Sequence, residues 1–356
     1  MRFLTHRVLL AMTLALLFGA PVSVFAIDYK IVTASPRGTY IEIGRDLAKF
    51  VAPAADIELE SVPSAGSTEN VKRLRSEPYV KFALVQSDVY QAYLDLATAG
   101  NREARGLMTP LRLILPLYNE EIYFVARQDA PFNFVHEIKD RKVSLGPLGS
   151  GTALTSATLY RQMFGTAVPD DKAQFLTNED GLSKLVTDKS VDVVIIVAGQ
   201  PAKVLAEMQP EAKSLIKLLK FDPQHATGQE ALKTYFNATV RTSSYPNLLT
   251  EDVPSLAVKA FLVTYNYDSA GTRQYLSRFA RSLCENFGKL QAEGHPKWKE
   301  VKLEMPEVGR GWSYYSPTSR EIQACLAGTP VPGAASASMP ARHTCAQQEK
   351  ILGICN

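Results

Sequence analysis

The sequence predicts an α/β protein with two lobes, on two observations. Apolar, β-branched runs such as residues 29–34 and 82–85 are each followed by a segment with helical periodicity. This alternation is typical of βαβ units and of a parallel sheet. The 356 residues also exceed what one ordinary hydrophobic core accommodates, so two lobes with a cleft between them are expected.

The predicted first lobe comprises residues 27–121 and 236–326. The second of its helices is expected to take Ser67 as its N-cap, with Glu69 in its first turn. The strands of this lobe are expected at residues 29–34, 57–62 and 82–85. Its later elements are expected to be a returning strand at residues 256–264 and one long amphipathic helix at residues 270–290.

The predicted second lobe comprises residues 122–235 and repeats the same units. Two strands, residues 111–117 and 122–127, are expected to carry the chain between the lobes. The other strands of this lobe are expected at residues 142–145, 173–176, 191–197 and 215–219. Its helices are expected to begin at Thr152, near Asn178 and at Pro201, where proline suits a first helical turn.

Both ends of the chain carry segments that are expected to lie outside the lobes. Residues 1–26 have the basic start, the apolar stretch and the small-x-small end of a secretory signal, which predicts cleavage after Ala26 and export. An uncleaved anchor is the alternative, although the apolar stretch is short for a bilayer span. Residues 327–341 are rich in Pro, Ala, Gly and Ser and predict a flexible linker, followed by a cysteine-containing tail at residues 342–356.

Charge and cysteine usage narrow the class of protein. Removal of the signal takes Arg2 and Arg7 from the 39 basic residues, which leaves 37 against 36 acidic ones and argues against nucleic acid as a partner. An even number of cysteines in an exported chain favours disulfides over a metal site. Four cysteines allow three pairings, among which we expect Cys284–Cys325 and Cys345–Cys355.

Five loops between a strand and its helix are rich in small polar residues. In open α/β sheets such loops gather beyond the carboxyl ends of the strands, where ligands bind. Their hydroxyls, N–H groups and helix N-termini suit a carboxylate. One helix terminus contributes only about 0.3–1 kcal/mol in an exposed setting, so several loops must converge on the ligand. The five loops are residues 35–40, 64–70, 86–88, 146–152 and 198–200.

The loop at residues 146–152 gives the strongest signal of the five, because its three glycines exceed what a turn requires. For any one of these loops, a tight turn with a helix cap and no ligand remains the alternative. Arg37 is the only cation within them. It either holds a carboxylate through two hydrogen bonds or is a solvated surface arginine.

Catalytic motifs are scarce. The glycines of residues 146–152 do not have the spacing of a dinucleotide-binding loop, a P-loop or a nucleophile elbow. Glu120 and Glu121 are neighbours in a predicted strand and should point to opposite faces, which disfavours a paired acid–base role. We therefore expect no enzyme, no cofactor and no metal. An exported enzyme of similar fold stays open as an alternative, with Asp88, Tyr118 and Glu120 as its candidate groups.

Several motifs, taken in order, resemble those of the TAXI solute-binding proteins of TRAP (tripartite ATP-independent periplasmic) transporters. The resemblance covers roughly residues 29–288. Its motifs are Ser35-Pro36-Arg37-Gly38-Thr39-Tyr40, Ala65-Gly66-Ser67-Thr68-Glu69-Asn70, Val85-Gln86-Ser87-Asp88, Leu117-Tyr118-Asn119-Glu120-Glu121, Gly146 through Thr152, Val197-Ala198-Gly199-Gln200-Pro201 and Glu251-Asp252-Val253-Pro254.

The resemblance implies a periplasmic binding protein of the type II-like fold, with two α/β lobes joined by hinge strands around a cleft. It implies a monomeric receptor in the periplasm that captures a small organic acid, a glutamate-like amino acid or a dicarboxylate, and delivers it to TRAP membrane permease subunits. A sensor for a membrane kinase is an alternative use of the same clamshell. The ligand contacts that it implies are Thr39, Tyr40, Ser67, Gln86, Ser87, Ser150, Gly151, Thr152, Gly199 and Gln200, to which Arg37 is added for its charge.

Overall fold

A computed structural model describes residues 26–308 and 311–328 and shows a mixed α/β fold with ten strands in one connected sheet. The strands are β1 Ile27–Val32, β2 Ile57–Val62, β3 Val80–Gln86, β4 Leu111–Arg127, β5 Val143–Ser144, β6 Ala173–Gln174, β7 Val193–Ala198, β8 Ile216–Leu218, β9 Phe236–Val240 and β10 Val253–Tyr265. The helices are α1 Thr39–Phe50, α2 Ser67–Ser76, α3 Ser87–Thr98, α4 Arg102–Met108, α5 Gly151–Phe164, α6 Asn178–Val186, α7 Lys203–Ala206, α8 Ala226–Ala231, α9 Ala270–Glu285, α10 Phe287–Glu293 and α11 Ser316–Leu326.

The sheet has a parallel group of strands at each end and antiparallel strands in the middle. Its order is β2-β1-β3-β10-β4-β7-β5-β6, with β8 paired to β4 and β9 paired to β10. The pairs among β1, β2 and β3 are parallel, as are those among β5, β6 and β7. Strands β4 and β10 run antiparallel to each other and to their other neighbours. The prediction of βαβ units is therefore confirmed for both ends of the sheet.

The two long strands β4 and β10 pass through both halves of the molecule. The sequence predicted two strands where β4 forms one of 17 residues. The polar residues Asn119, Glu120 and Glu121 interrupt the apolar pattern, but each stays opposite a residue of β10 in the ladder. Backbone pairing continues whatever the side chains, so the interruption of the pattern does not end the strand.

The hydrophobic core divides into two lobes at this crossing. Residues of β4 up to Tyr118 pack in clusters with β1–β3, whereas those from Ile122 pack in separate clusters with β5 and β7. Along β10, Val258 still belongs to a second-lobe cluster, whereas Ala260 belongs to a first-lobe cluster. Strand β9 and the segment after it lie with the second lobe, because β9 pairs with the first half of β10. Buried residues between positions 240 and 253 therefore pack with those of β7 and the second half of β4.

Three local predictions differ from the structure. Gly66, not Ser67, precedes the first residue of α2. The helix expected from Pro201 begins at Lys203, after a cis peptide bond between Gln200 and Pro201. The expected long helix at residues 270–290 is two helices, which meet at Asn286. Helix ends depend on local capping and packing, which a hydrophobic pattern does not specify.

A disulfide joins Cys284 of α9 to Cys325 of α11, as expected. The other predicted pair, Cys345–Cys355, lies outside the described residues, as do the signal segment and most of the linker. Within residues 26–308 and 311–328, no helix has the length and apolar character needed to cross a membrane.

Candidate functional site

A cavity of about 310 Å³ lies between the two lobes, where the segments after β1, β2, β5 and β6 meet the ends of β3 and β7. This volume lies at the lower end of the range for small-molecule sites. Seven of the sequence-predicted residues line it together: Thr39, Tyr40, Ser67, Gln86, Ser150, Gly151 and Thr152. The lining also includes Glu120, Thr177, Asn178 and Glu179, which the sequence did not indicate as ligand contacts.

Four helices begin at the wall of this cavity. The first residues of α1, α2, α5 and α6 are Thr39, Ser67, Gly151 and Asn178, and all four line it. Helix N-termini carry partial positive charge and N–H groups without partners inside the helix. The described lining contains no lysine or arginine, so its hydrogen-bond donors are these N-termini, the hydroxyls and the side-chain amides of Gln86 and Asn178.

Glycines allow the backbone of the second lobe to approach the first. Gly146 has φ 96° and Gly149 has φ 80°, a left-handed conformation that glycine adopts without strain. Gly151 favours close approach in a different way, because a β-carbon there would overlap the end of the Gln86 side chain and force it to move. The glycine loop therefore lets the start of α5 come against the end of β3.

Ser67 and Gln86 form part of the wall from the first lobe. The Oγ atom of Ser67 accepts a hydrogen bond of 3.1 Å from the backbone N–H of Gln86. It therefore ties α2 to β3 instead of capping its own helix. Oε1 of Gln86 is buried and has no hydrogen-bond partner among the described residues. A buried amide oxygen without a partner is costly, which suggests that a ligand or water completes it.

The cleft is closed in this structure, since loops of the two lobes touch on both sides of the cavity. The Thr39 hydroxyl donates to the Gly199 carbonyl at 3.0 Å. On the other side, the backbone N–H of Glu69 donates to the Gly149 carbonyl at 3.1 Å. A half-buried pair, Lys203 and Glu42, adds a contact of 2.7 Å at the rim, where solvent partly screens it.

Glu120 is a buried carboxyl group in the wall of the cavity, on the crossing strand β4. The Tyr40 hydroxyl donates to its Oε2 at 2.7 Å. Burial, with a smaller contribution from the nearby Glu121 and Asp88, raises the pKa of Glu120 to about 8, against the hydrogen bonds from Tyr40 and Gln86. The side chain is therefore largely protonated at neutral pH. In sequence it was visible only as a candidate acid of an enzyme.

Asp88 lies beside the cavity and connects the two lobes. Its Oδ2 accepts hydrogen bonds from the Thr155 hydroxyl at 2.6 Å and from the Tyr235 hydroxyl at 3.2 Å. Burial raises the pKa of Asp88 to about 6, although both hydrogen bonds favour the charged form. Because both donors belong to the second lobe, Asp88 holds the lobes together.

The neighbouring Glu121 points to the opposite side of β4, as the strand alternation predicts. It contacts the ammonium group of Lys297 at 2.7 Å and accepts from the backbone N–H of Gln200 at 2.8 Å. Lys297 is fully buried and also contacts Glu300 at 2.7 Å. This cluster holds the loop after β7 behind the cavity. Sequence reasoning missed Lys297, because a lone lysine in a polar segment carries no signal of burial.

Four predicted site residues do not line the cavity. Arg37 is exposed at the rim and pairs with Glu207 at 2.5 Å. Ser87 is half-buried at the start of α3. The backbone of Gly199 accepts the bond from Thr39, and the side chain of Gln200 is bound to Glu121 and to the Thr239 carbonyl. Their position is that of supporting groups around the wall.

Several solved structures are similar in fold to this chain at low sequence identity. One is BugD, a periplasmic binding protein, with a TM-score of 0.48, 13% identity and coverage of 85% of this chain and 94% of that one. Another is XAC2383 from Xanthomonas citri bound to ATP, with a TM-score of 0.47, 12% identity and coverage of 84% of this chain and 98% of that one. A third is the periplasmic sulfonate-binding protein SsuA from Methylobacillus flagellatus, with a TM-score of 0.43, 13% identity and coverage of 83% of this chain and 77% of that one.

The decisive comparison is with a protein family. The sequence pattern of the NMT1-like family matches residues 31–310, which is more than half of the chain. The chain belongs to the NMT1-like family. In this NMT1-like protein the matched region includes both crossing strands and every residue that lines the cavity. No group of His, Cys, Asp and Glu side chains suited to a metal occurs within the described parts of the NMT1-like chain.

Proposed function

We propose that this NMT1-like protein is an exported solute receptor that captures a small organic acid by closing its lobes. The observation that carries the proposal is the cavity itself, which is closed by contacts from both lobes and bordered by four helix N-termini without a lysine or arginine. Such a wall binds an anion through N–H groups and hydroxyls, and closure shields those hydrogen bonds from water. The proposed ligand contacts are the seven residues first predicted from the sequence that line the cavity.

The arrangement of polar groups supports binding over catalysis. Asp88 directs its carboxylate at Thr155 and Tyr235, which hold it between the lobes. The carboxyl group of Glu120 accepts a hydrogen bond from the Tyr40 hydroxyl. A protonated acid cannot take the proton of this hydroxyl, so it does not activate Tyr40 as a nucleophile. We therefore propose a receptor that releases its ligand unchanged.

The export signal and the family resemblance support a role in transport. We propose that the mature protein starts after Ala26, acts as a monomer in the periplasm and delivers its ligand to TRAP membrane permease subunits. The proposed lobe boundaries follow the crossing strands near residues 121 and 258. A sensor for a membrane kinase would use the same closure. A permease gene next to the gene for this protein would favour transport, and a kinase gene would favour sensing.

Thermal unfolding in the presence of candidate ligands tests the proposal. A ligand that binds only the folded protein increases the free energy of unfolding by RT ln(1 + [L]/Kd) and so raises the unfolding temperature. We expect at least one amino acid or organic acid to raise the unfolding temperature of the wild type. The variant Thr39→Val should show a smaller rise with the same ligand, because it lacks the hydrogen bond to Gly199. Thr98→Val, at an exposed hydroxyl on α3 that bonds only within its own helix, is the matched control. If no small acid stabilises the protein, the proposed function is wrong.

A further inference from the structure

A buried contact between the lobes lies next to the cavity, around Asp88. This residue is in the first turn of α3 in the first lobe and is only 5% exposed. Thr155 of α5 and Tyr235, which precedes β9, cover it from the second lobe, and both are buried. Leu154, the neighbour of Thr155, packs against the first-lobe cluster that includes Val89 of α3. The lobes therefore meet here through a buried interface, which would break if they moved apart.

The contact can be satisfied with the carboxyl group of Asp88 either ionised or protonated. In the ionised form Oδ2 accepts from both hydroxyls, and Oδ1 accepts from the backbone N–H of Val89 at 2.8 Å. In the protonated form the new O–H needs an acceptor. The Tyr235 hydroxyl can take that role, because it lies 3.4 Å from the Thr155 carbonyl and can donate there instead. Both protonation states are thus compatible with closed lobes.

Burial decides between these two states. It raises the pKa of Asp88 to about 6 in the closed protein, although the hydrogen bonds from Thr155 and Tyr235 lower it. Lobes that move apart would return the carboxyl group to water, where its pKa is about 4. Between these pH values the closed form binds more protons than the open form. The other ionisable groups around the contact are Glu120 of β4, Tyr235 itself and Arg161 of α5, whose charge acts on Tyr235.

We propose that Asp88, Thr155 and Tyr235 form a proton-binding latch between the lobes, which strengthens closure and ligand capture as the pH falls. This latch rests on the proposed function, since capture is taken to require closure. Closure takes a proton from solvent onto the Asp88 carboxylate, and opening returns it. The gain in affinity is complete below about pH 4 and is lost as the pH rises through about 6. Asp88 is a positioning residue, because it acts through the lobes and is not part of the cavity lining.

Binding measured by calorimetry at two pH values tests the latch. The probes are L-glutamate, L-leucine and lactate, whose charges hardly change between about pH 5 and about pH 7.5. Over this range we expect the affinity of the wild type to rise by about tenfold relative to that of Asp88→Asn, which cannot bind the proton. The comparison cancels the contribution of Glu120, which both proteins share. Asp95→Asn, at an exposed carboxylate on the same helix, is the matched control and should follow the wild type.

A substitution on the other side of the contact gives a result that a purely structural role would not produce. Tyr235→Phe removes a hydrogen bond that favours the ionised carboxylate, so it should raise the pKa of Asp88. The affinity change should then occur at a higher pH than in the wild type. A loss of packing alone would weaken binding equally at every pH. This variant also keeps the test open if Asp88→Asn does not fold.

Small-angle scattering of the ligand-free protein separates the latch from the proposed function. If no probe binds but the wild type becomes more compact at the lower pH while Asp88→Asn does not, the latch is supported and the proposed ligand class is wrong. Probes that bind the wild type and Asp88→Asn with the same pH dependence would overturn the latch and leave the receptor intact. The latch is also wrong if no probe binds and the free wild type keeps one radius of gyration at both pH values.

Discussion

The ammonium group of Lys297 lies 2.7 Å from Oε1 of Glu121, and neither side chain is exposed by more than 5%. The lysine comes from a short turn near the end of the first lobe, and the glutamate from the middle of a crossing strand. Removing one partner of a buried pair leaves the other charge without compensation, which costs more than the pair contributes. The pair is therefore a sensitive point of the fold.

Replacing Lys297 by methionine is expected to lower the free energy of unfolding by about 3–5 kcal/mol, because Glu121 would stay buried without a counter-charge. Urea unfolding followed by circular dichroism measures the change. Lys299→Met, at the exposed lysine two residues further on, is the matched control and should stay within about 0.5 kcal/mol of the wild type. If the two substitutions lowered the free energy of unfolding equally, the buried ion pair would not be the cause of the loss.

Replacing Gly151 by alanine is expected to hinder closure of the lobes and leave each lobe folded. The added methyl group would take the space of the Gln86 side chain, which contacts it only when the lobes are together. We expect a ligand found by thermal unfolding to bind at least about tenfold more weakly, with a more open particle in small-angle scattering. Gly106→Ala, with open space around it on α4, is the control. Unchanged affinity would mean that the two residues separate in the bound form.

The contribution of Asp88 and Glu120 to the free energy of unfolding is expected to decrease as the pH rises from about 4 to 8. Both pKa values are raised in the folded protein, to about 6 and about 8, so folding favours the protonated forms. That stability is complete below the unfolded-state pKa values and is lost as the pH passes the folded ones. Other carboxyl groups with lowered pKa values act in the opposite direction, so the measurement is a comparison of variants.

Asp88→Asn and Glu120→Gln should each flatten the pH dependence of the urea-unfolding free energy, by about 3 kcal/mol and about 5 kcal/mol respectively across this range. The largest gain over the wild type is expected at pH 8. A parallel pair of curves for wild type and variant would contradict the assignment of raised pKa values to these groups.

The bond between Cys284 and Cys325 closes a loop of 41 residues and joins α9 to α11. Reduction is expected to lower the free energy of unfolding by about 2–4 kcal/mol, chiefly because the unfolded chain gains freedom. The double variant Cys284→Ser with Cys325→Ser should show the same loss and no further response to reductant. A response of that variant to reductant would indicate that the cysteines of the tail also contribute.

Much of the fold was predictable because its elements carry local signals. The apolar β-branched runs gave β1–β3 and β7, and the loops with small polar residues marked the helices that follow them. The crossing strand β4 was divided in two, since Asn119, Glu120 and Glu121 resemble a loop until their pairing with β10 is known. Strand β9 was missed for a related reason, because Phe236–Val240 is short and mostly exposed.

The site was predictable where its residues sit in the loops that the sequence marks. Seven residues on four such loops were named in advance and line one cavity. The sequence could not show that Glu120 faces this cavity while Glu121 meets Lys297, 176 positions away, because such contacts depend on how distant segments pack. Nor could it show that Arg37 remains at the rim, since an arginine in a polar loop looks the same in either place.

Strands β4 and β10 also determine how the second lobe is attached. Glu120 and Val258 are partners across the ladder, so the points where the chain leaves and re-enters the first lobe are neighbours about 5 Å apart. The residues between them form an insertion into the first lobe, and the buried members of the first-lobe clusters all lie outside it, with Leu154 of the insertion packed against one cluster. A short hairpin turn could join the two strands in its place, but the excision would also remove Glu121 from the buried Lys297, so a separate first lobe would need an apolar residue at position 297.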